Sequence, residues 1–319
     1  MKYAIISDIH GNMPALEAVL EDAKKIGVDE YIFLGDYCLC SPFPNEVVNT
    51  IKDMTHAHIV RGNEEDYFDT ILNQDENAWI NGQYSTLYWC YNAMTKDNLN
   101  YLSNLPKELN VQDSRASIRA FHCSKTYFNS TKTEEFTNKN YSMNYRKKTF
   151  THEEHKNIID NTLSNDDNLK RILTGIPDGI YTFGHTHVQW HFQIENKLLI
   201  NPGSCGLPLD CLPGASYTII DISNSNWQVL ERRVQYDIEK AIDNLLKSEL
   251  YQKAKVMSSI VIDELKTGLS QIHAFFEFVN DYANEINDTI RPYSQGTWNN
   301  AYEIWQTKKH NFVQTSLSF

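Results

Sequence analysis

The chain has 319 residues, of which 41% are hydrophobic and 22% charged, with 29 Lys plus Arg against 41 Asp plus Glu. That composition excludes intrinsic disorder, and a mean hydropathy of −0.50 without an apolar run near the roughly 18 residues that cross a bilayer excludes the membrane-spanning class. A net charge of −12 provides no global cationic field for nucleic acid or anionic lipid, so a phosphate-bearing ligand must be attracted locally.

The first residues, Met1 to Ser7, carry one positive charge, too short an apolar stretch for a signal-peptide core and no cleavage site, so the protein is expected in the cytosol. The six cysteines, at 38, 40, 90, 123, 205 and 211, show no CxxC or framework spacing and are expected to be small buried apolar side chains in a reducing compartment. Short apolar strands are predicted at Ala4–Ile6, Tyr31–Leu34, His58–Val60, Ile118–Phe121 and Ile180–Phe183. Between the first of them lie two helices. One starts at Pro14, shows Leu16, Val19, Leu20 and Ala23 on one face and exits at Gly27; the other runs from about Asn45 to Met54. Strands alternating with helices predict parallel β-α-β units, whose ligand-binding edge lies at the strands' carboxyl ends.

Residues 65–105 read as a helical insertion, with Tyr84, Leu87, Tyr88 and Tyr91 at helical spacing, and residues 125–178 as a loop-plus-helix excursion. After a strand at Leu198–Ile200 come a Pro202-Gly203-Ser204 turn and two more strands, Ser216–Ile222 and Trp227–Val234. A helical extension over 236–319 then follows a main domain over 1–235. Pro292 and Gly296 are expected to break it, with Trp298, Tyr302 and Trp305 on one face beyond the break. The extension is expected either to cover the core or to pair with a second copy.

Each predicted strand of the first part ends in a side chain able to bind metal. Asp8 and His10 follow the first strand, Asp36 the second, Asn63 the third, His122 the next, and His185 and His187 the last. Singly, each suits a turn, a helix cap or a core histidine; together they are a ligand set. Mixed imidazole, carboxylate and amide donors suit Mn first, with Fe or Zn as alternatives, and not oxygen-only Ca or Mg cages. Seven ligands exceed one catalytic site, so two ions sharing one carboxylate are expected. Such a pair holds a bridging hydroxide and clamps an in-line displacement at phosphorus. Two divalent cations, two aspartates and one hydroxide sum to +1, enough to hold phosphate on an acidic protein.

The ordered motifs Ser7-Asp8-Ile9-His10-Gly11-Asn12, Leu34-Gly35-Asp36, Arg61-Gly62-Asn63, Phe121-His122, Phe183-Gly184-His185-Thr186-His187 and Ile200-Asn201-Pro202-Gly203-Ser204 resemble the calcineurin-like metallophosphoesterase superfamily over about the first 235 residues. The resemblance implies an α/β fold, a four-layer α/β/β/α sandwich of two packed mixed sheets flanked by helices. It implies that Asp8, His10 and His187 bind one metal, that Asn63, His122 and His185 bind the other, and that Asp36 bridges. The short spacing and the Asn-Pro-Gly-Ser segment resemble the bacterial branch of small phosphodiesterases and diadenosine-tetraphosphate hydrolases.

In much of that superfamily a histidine that protonates the leaving group or steadies the phosphate follows the Gly-Asn pair. Here Glu64 stands there, followed by Glu65 and Asp66. A glutamic acid protonates a leaving group only with a raised pKa, and nearby cations push it down. Phosphoanhydrides and aryl esters are therefore expected to be better substrates than alkyl diesters. Asn63 and Glu64 are the candidate catalytic residues beside the metal set, and a small nucleotide-type phosphate compound is the expected partner, with no membrane or nucleic acid. The other readings are a protein serine/threonine phosphatase and an interaction scaffold. Tyr37-Cys38-Leu39-Cys40 in place of Val-Asp-Arg-Gly argues against the first, and the retained seven ligands against the second. Three further patterns read as bland surface or packing: Cys38 and Cys40 as packing, His152-Glu153-Glu154-His155 as a solvated face, and Arg146-Lys147-Lys148 as solvated surface rather than a polyphosphate-steering patch.

Overall fold

The computed structural model describes residues 1–71, 82–123, 151–223 and 226–316. In chain order the strands are β1 (Lys2–Ile6), β2 (Glu30–Phe33), β3 (Ala57–Ile59), β4 (Glu108–Asp113), β5 (Ala116–Phe121), β6 (Gly179–Thr182), β7 (Gln189–Ile194), β8 (Lys197–Pro202), β9 (Ala215–Asp221) and β10 (Gln228–Val234). They form two five-stranded mixed sheets, ordered β10-β9-β1-β2-β3 and β4-β5-β6-β8-β7. β1, β2 and β3 run parallel, with Ile5 beside Ile32 and Ile32 beside His58, and β9 closes the other side of β1 antiparallel. In the second sheet β5, β6 and β8 are parallel, flanked by antiparallel β4 and β7.

The side-chain period of two explains why these strands read as unbroken apolar runs. On β1, Tyr3 and Ile5 point between the sheets, where they join Ile32, Ile118, Ile180 and Ile200, while Ala4 and Ile6 point to the outer helices. Both faces of the strand are buried, so neither face is polar.

Helix α1 (Met13–Ile26) is capped by the Asn12 side chain, carries Pro14 in its first turn and leaves through Gly27 at φ 75°, a left-handed position that glycine takes without penalty. Together with α2 (Pro44–Asp53) it covers the outer face of the first sheet. The insertion holds α3 (Asn63–Ile71), α4 (Ser85–Ala93) and α5 (Lys96–Ser103). The excursion holds α6 (His152–Asn165) and α7 (Asp167–Gly175), whose Ile159, Leu163, Leu169 and Leu173 pack against Trp190 and Leu199 on the outer face of the second sheet. The Arg146-Lys147-Lys148 run lies outside the described residues.

Beyond β10 come α8 (Ile238–Lys247), α9 (Glu249–Lys253), α10 (Lys255–Thr267), α11 (Ile272–Glu285) and α12 (Gln295–Ser316). Ile242, Leu245, Val261 and Leu265 pack into the cluster that holds α1 and α2. α11 and α12 enclose a core of their own, where Phe275 meets Trp298, Tyr302 and Trp305 at ring-centroid distances of 4.9, 5.7 and 5.4 Å. The break before α12 spans residues 286–294, and Gly296 lies inside the helix rather than breaking it. No described helix is long and apolar enough to cross a membrane.

Three expectations need correction. β4 and β7 were not foreseen as strands. His155 is buried, 1% exposed, and His152 Nδ1 donates to the Asp210 carbonyl at 2.8 Å, so this pair is not a solvated face. Cys38, Cys90 and Cys205 are buried as expected, but Cys123 is exposed.

Candidate metal centre

The carboxyl ends of β1, β2, β5 and β6 bring six of the seven candidate ligands to one place, and the N-terminus of α3 supplies Asn63. The loops there are tied together through the backbone: the amides of Ile9 and His10 donate to the Asp36 carbonyl at 2.8 and 3.0 Å, and Gly184 N donates to the His122 carbonyl at 3.1 Å. Ser204 Oγ donates to the Asp8 carbonyl at 2.6 Å, and Asn201 Nδ2 donates to the Gly184 carbonyl at 2.9 Å. The Asn-Pro-Gly-Ser segment thus fastens two ligand loops from below.

The backbone is strained where the ligands stand. Asp8, His10, Asp36, His185 and His187 have φ of 54°, 53°, 55°, 72° and 57°, a region that non-glycine residues seldom occupy and that persists only where the surroundings enforce it. The glycines preceding two ligands are there for space. A Cβ on Gly62 would lie 2.2 Å from Asp36 Oδ1, and one on Gly184 would lie 1.9 Å from Ser7 Oγ.

Asp8, His10 and His187 place one donor atom each within 4.8 Å of one another, and so do Asp36, His122 and His185. Asn63 Oδ1 lies 2.9 Å from His122 Nε2, and the Asn63 Nδ2 group donates to the Tyr67 hydroxyl at 3.2 Å, which fixes the amide with its oxygen toward the histidine. Asp36 belongs to the second group: its Oδ2 is 3.2 Å from His122 Nε2, and its Oδ1 accepts from Glu64 N at 2.9 Å.

The hydrogen bonds decide the tautomers. A backbone carbonyl only accepts, so His122 donates from Nδ1 to Leu34 O at 2.7 Å and His187 from Nδ1 to Leu207 O at 2.6 Å. His10 Nδ1 faces the Glu64 carboxylate at 3.1 Å. In the neutral rings of His122 and His187 the Nε2 atoms are therefore lone pairs, and that of His187 lies 3.0 Å from His10 Nε2. Asp8 Oδ1, fully buried, has no hydrogen-bond partner and lies 3.2 Å from His187 Nε2. Lone pairs converging on an orphaned buried carboxylate oxygen are repulsive without a positive charge among them, and a divalent cation supplies it.

The electrostatics point the same way. Burial pushes the Asp8 carboxyl up, but the imidazoles of His187, His122 and His10 outweigh it and hold it below the usual carboxylate range. Burial pushes His122 down, but the Asp36 carboxylate, then Asp8 and Glu65, hold it up at about 10. The carboxylates of this pocket demand a cation, and a proton or a metal ion meets the demand.

Two acids after Asn63 have different tasks. Burial, then the charges of Asp36 and Glu65, raise Glu64 well above the ordinary glutamate value. Its Oε2 is 3.1 Å from His10 Nδ1, the ring nitrogen opposite the one that approaches His187. Glu65, 1% exposed, accepts from Asp36 N, Tyr37 N and Gly62 N at 3.0, 2.8 and 2.9 Å and fastens the Asp36 loop to the start of α3. Sequence reasoning missed Glu65. The signal was its place three residues after Gly62, the reach-back half of a capping box. Cys38 packs against Met94, whereas Cys40 lies within donor distance of His10 and Glu64.

A cavity of about 650 Å³ opens from these residues, with His10, Asp36, Asn63, Glu64, His185 and His187 at its polar end. Its wall includes His273 and Phe276 of α11, which sequence reasoning did not connect with the site.

Residues 1–225 match the family model of the calcineurin-like phosphoesterase superfamily domain. An uncharacterised protein of Methanocaldococcus jannaschii is 29% identical over 252 residues, 77% of this chain and 93% of that protein. The crystal structure of a metallophosphoesterase from Sphaerobacter thermophilus superposes with a TM-score of 0.59 at 23% identity, over 84% of this chain and 99% of that one. A hypothetical protein from Pyrococcus horikoshii gives 0.57 at 18% identity, over 84% and 98%. At these identities the two structures establish the fold alone.

Proposed function

Because the chain belongs to the calcineurin-like phosphoesterase superfamily, we propose that it is a dinuclear, metal-dependent hydrolase of a phosphoanhydride or phosphodiester bond in a small nucleotide-type substrate. The observation that carries this reading is the pair of neighbouring donor groups, Asp8 with His10 and His187 and Asp36 with His122 and His185, the first with two imidazole nitrogens 3.0 Å apart beside an orphaned carboxylate oxygen.

Asp8, His10 and His187 hold one ion and Asn63, His122 and His185 the other, with Asp36 shared and Mn the first choice for a donor set of this mixture. Bound ions of this kind supply Lewis acidity and water activated for in-line attack at phosphorus. The chain does the rest. Leu34 O and Leu207 O hold the rings of His122 and His187 in the tautomer that presents Nε2, and Glu64 holds His10 in the same way. Asn63 keeps its amide oxygen toward the site through the bond to Tyr67. With Glu64 engaged by His10 Nδ1, departure relies on the stability of the leaving anion, so anhydrides and aryl esters react faster than alkyl diesters.

Release of phosphate or nucleotide from dinucleoside polyphosphates, cyclic nucleotides and phosphopeptides, with and without Mn, tests the reading. Mn-dependent turnover of the nucleotide substrates is expected. Turnover confined to phosphopeptides, or indifferent to metal and chelator, contradicts it.

A further inference from the structure

The cavity is larger and more apolar than a phosphate needs. At roughly 30 Å³ of liquid per water molecule, its 650 Å³ hold about twenty waters, a volume typical of sites for whole organic ligands. Away from the polar end the wall is built from Leu39, Tyr84, Leu87, Met257, Ile272 and Phe276, and among the described residues no Lys or Arg lines it. The far side is thus suited to a flat, uncharged group and not to a further run of phosphates.

Three of those residues come from α10 and α11, beyond the 225 residues that the family model matches. The extension is joined to the residues before α4. Gly82 N donates to Gln295 Oε1 at 2.7 Å, Tyr293 N donates to Gln83 Oε1 at 3.3 Å, and a Cβ on Gly82 would lie 2.2 Å from Trp298 Cδ1. Phe276 is seated on the same Trp298, with ring centroids 5.6 Å apart. His273, the turn before Phe276, bonds through Nδ1 with Ser270 Oγ at 2.9 Å and adds a polar group to an otherwise apolar wall.

We propose that α10 and α11 form a substituent subsite that takes one planar aromatic ring attached to the phosphate, with Phe276 and Met257 as its specificity-determining residues. This rests on the proposed phosphoesterase reading for the location of the phosphate, and it narrows the substrate to a phosphodiester or phosphoanhydride whose metal-side phosphate carries a nucleoside or a simple aryl group, with AMP and phenyl phosphate as product-side probes. An aromatic ring gains apolar burial and ring contacts against Phe276 and Tyr84 that a methyl group cannot make.

Binding to the Mn-loaded full chain, measured by calorimetry with phenyl phosphate, AMP and methyl phosphate, tests the proposal without requiring turnover. Phenyl phosphate and AMP are expected to bind about tenfold or more tightly than methyl phosphate. Phe276→Ala removes most of that ratio, and Met257→Trp, which fills the cavity with an apolar side chain, removes it if the alanine variant does not fold. Ile290→Ala, on the exposed part of the extension, preserves it. Tighter binding of AMP than of phenyl phosphate assigns the subsite to nucleobases, and the reverse assigns it to simple aryl groups. Equal binding of all three ligands, or a ratio unchanged by both wall variants, overturns the proposal. Aromatic preference without hydrolysis of any substrate leaves the subsite standing and contradicts the phosphoesterase reading instead.

Discussion

Five of the seven candidate ligands sit at positive φ, and the three glycines that precede candidate ligands, Gly35, Gly62 and Gly184, leave no space for a Cβ. The folded chain tolerates the strain because β-strand ends, the Ser204 and Asn201 bonds and the Glu65 clamp determine those loops more strongly than the local preference of each residue does. Glu64 is the residue whose role separates two accounts. As a positioning residue at His10 Nδ1, its replacement in Glu64→Gln is expected to weaken Mn binding by about 10- to 100-fold, with kcat at saturating Mn changed equally for anhydride and alkyl ester substrates. A proton donor would give the opposite pattern: unchanged Mn affinity and a selective loss on the alkyl esters. Titrating Mn against each variant and comparing the two substrate classes decides between them. The convergence of the candidate side chains was legible because each motif joins an apolar strand to a glycine or a sharp turn and then a donor. Glu65 and His273 were not, since one works through backbone amides and the other reaches the cavity from a tail with no motif of its own.

At the scale of elements, the excursion helix α6 is tied to the sheets through one carboxylate. Glu231 on β10 accepts from His191 Nδ1 on β7 at 2.7 Å and from Lys156 Nζ on α6 at 2.5 Å. Burial pushes Glu231 up, but the bonds from His191 and Lys156 outweigh it and hold it at about 2, below the ordinary 4.5. A depressed carboxyl pKa contributes stability that is complete above pH 4.5 and lost as pH falls toward 2. Lys156 and His191 are 41% and 39% exposed, so solvent screening reduces the effect. Glu231→Gln is expected to lower stability by about 1–2 kcal/mol at neutral pH and to flatten the decline of Tm between pH 5 and 2, as read from thermal melts across that range. An unchanged Tm at pH 7 contradicts the role given to this junction. β7 and β4 escaped the sequence reading for a related reason. They are edge strands with one face open, so their signal is alternation, Trp190, Phe192 and Ile194 in one and Leu109 and Val111 in the other, and not the unbroken apolar run that marked β1 and β6.

Across the whole molecule, two sheets share an interior of aliphatic side chains and each carries helices on its outer face, so the loops at one sheet edge are held by layers that contribute nothing to chemistry themselves. The sandwich was legible in the order of strands, helices and donors. How the C-terminal helices dock was not, because their apolar periodicity fits packing on the core, on each other or on a second copy equally well, and only the contacts of Val261, Phe275 and Trp298 separate these. The central claim is that these layers assemble two adjoining cation sites around one shared carboxylate. The direct measurement is elemental analysis of metal per chain in the purified wild-type protein and in Asp36→Asn, after loading with Mn and removal of unbound metal. Close to two ions per wild-type chain and loss of both in the variant are predicted. A wild-type chain that retains no metal, or a variant that keeps the full complement, contradicts the account.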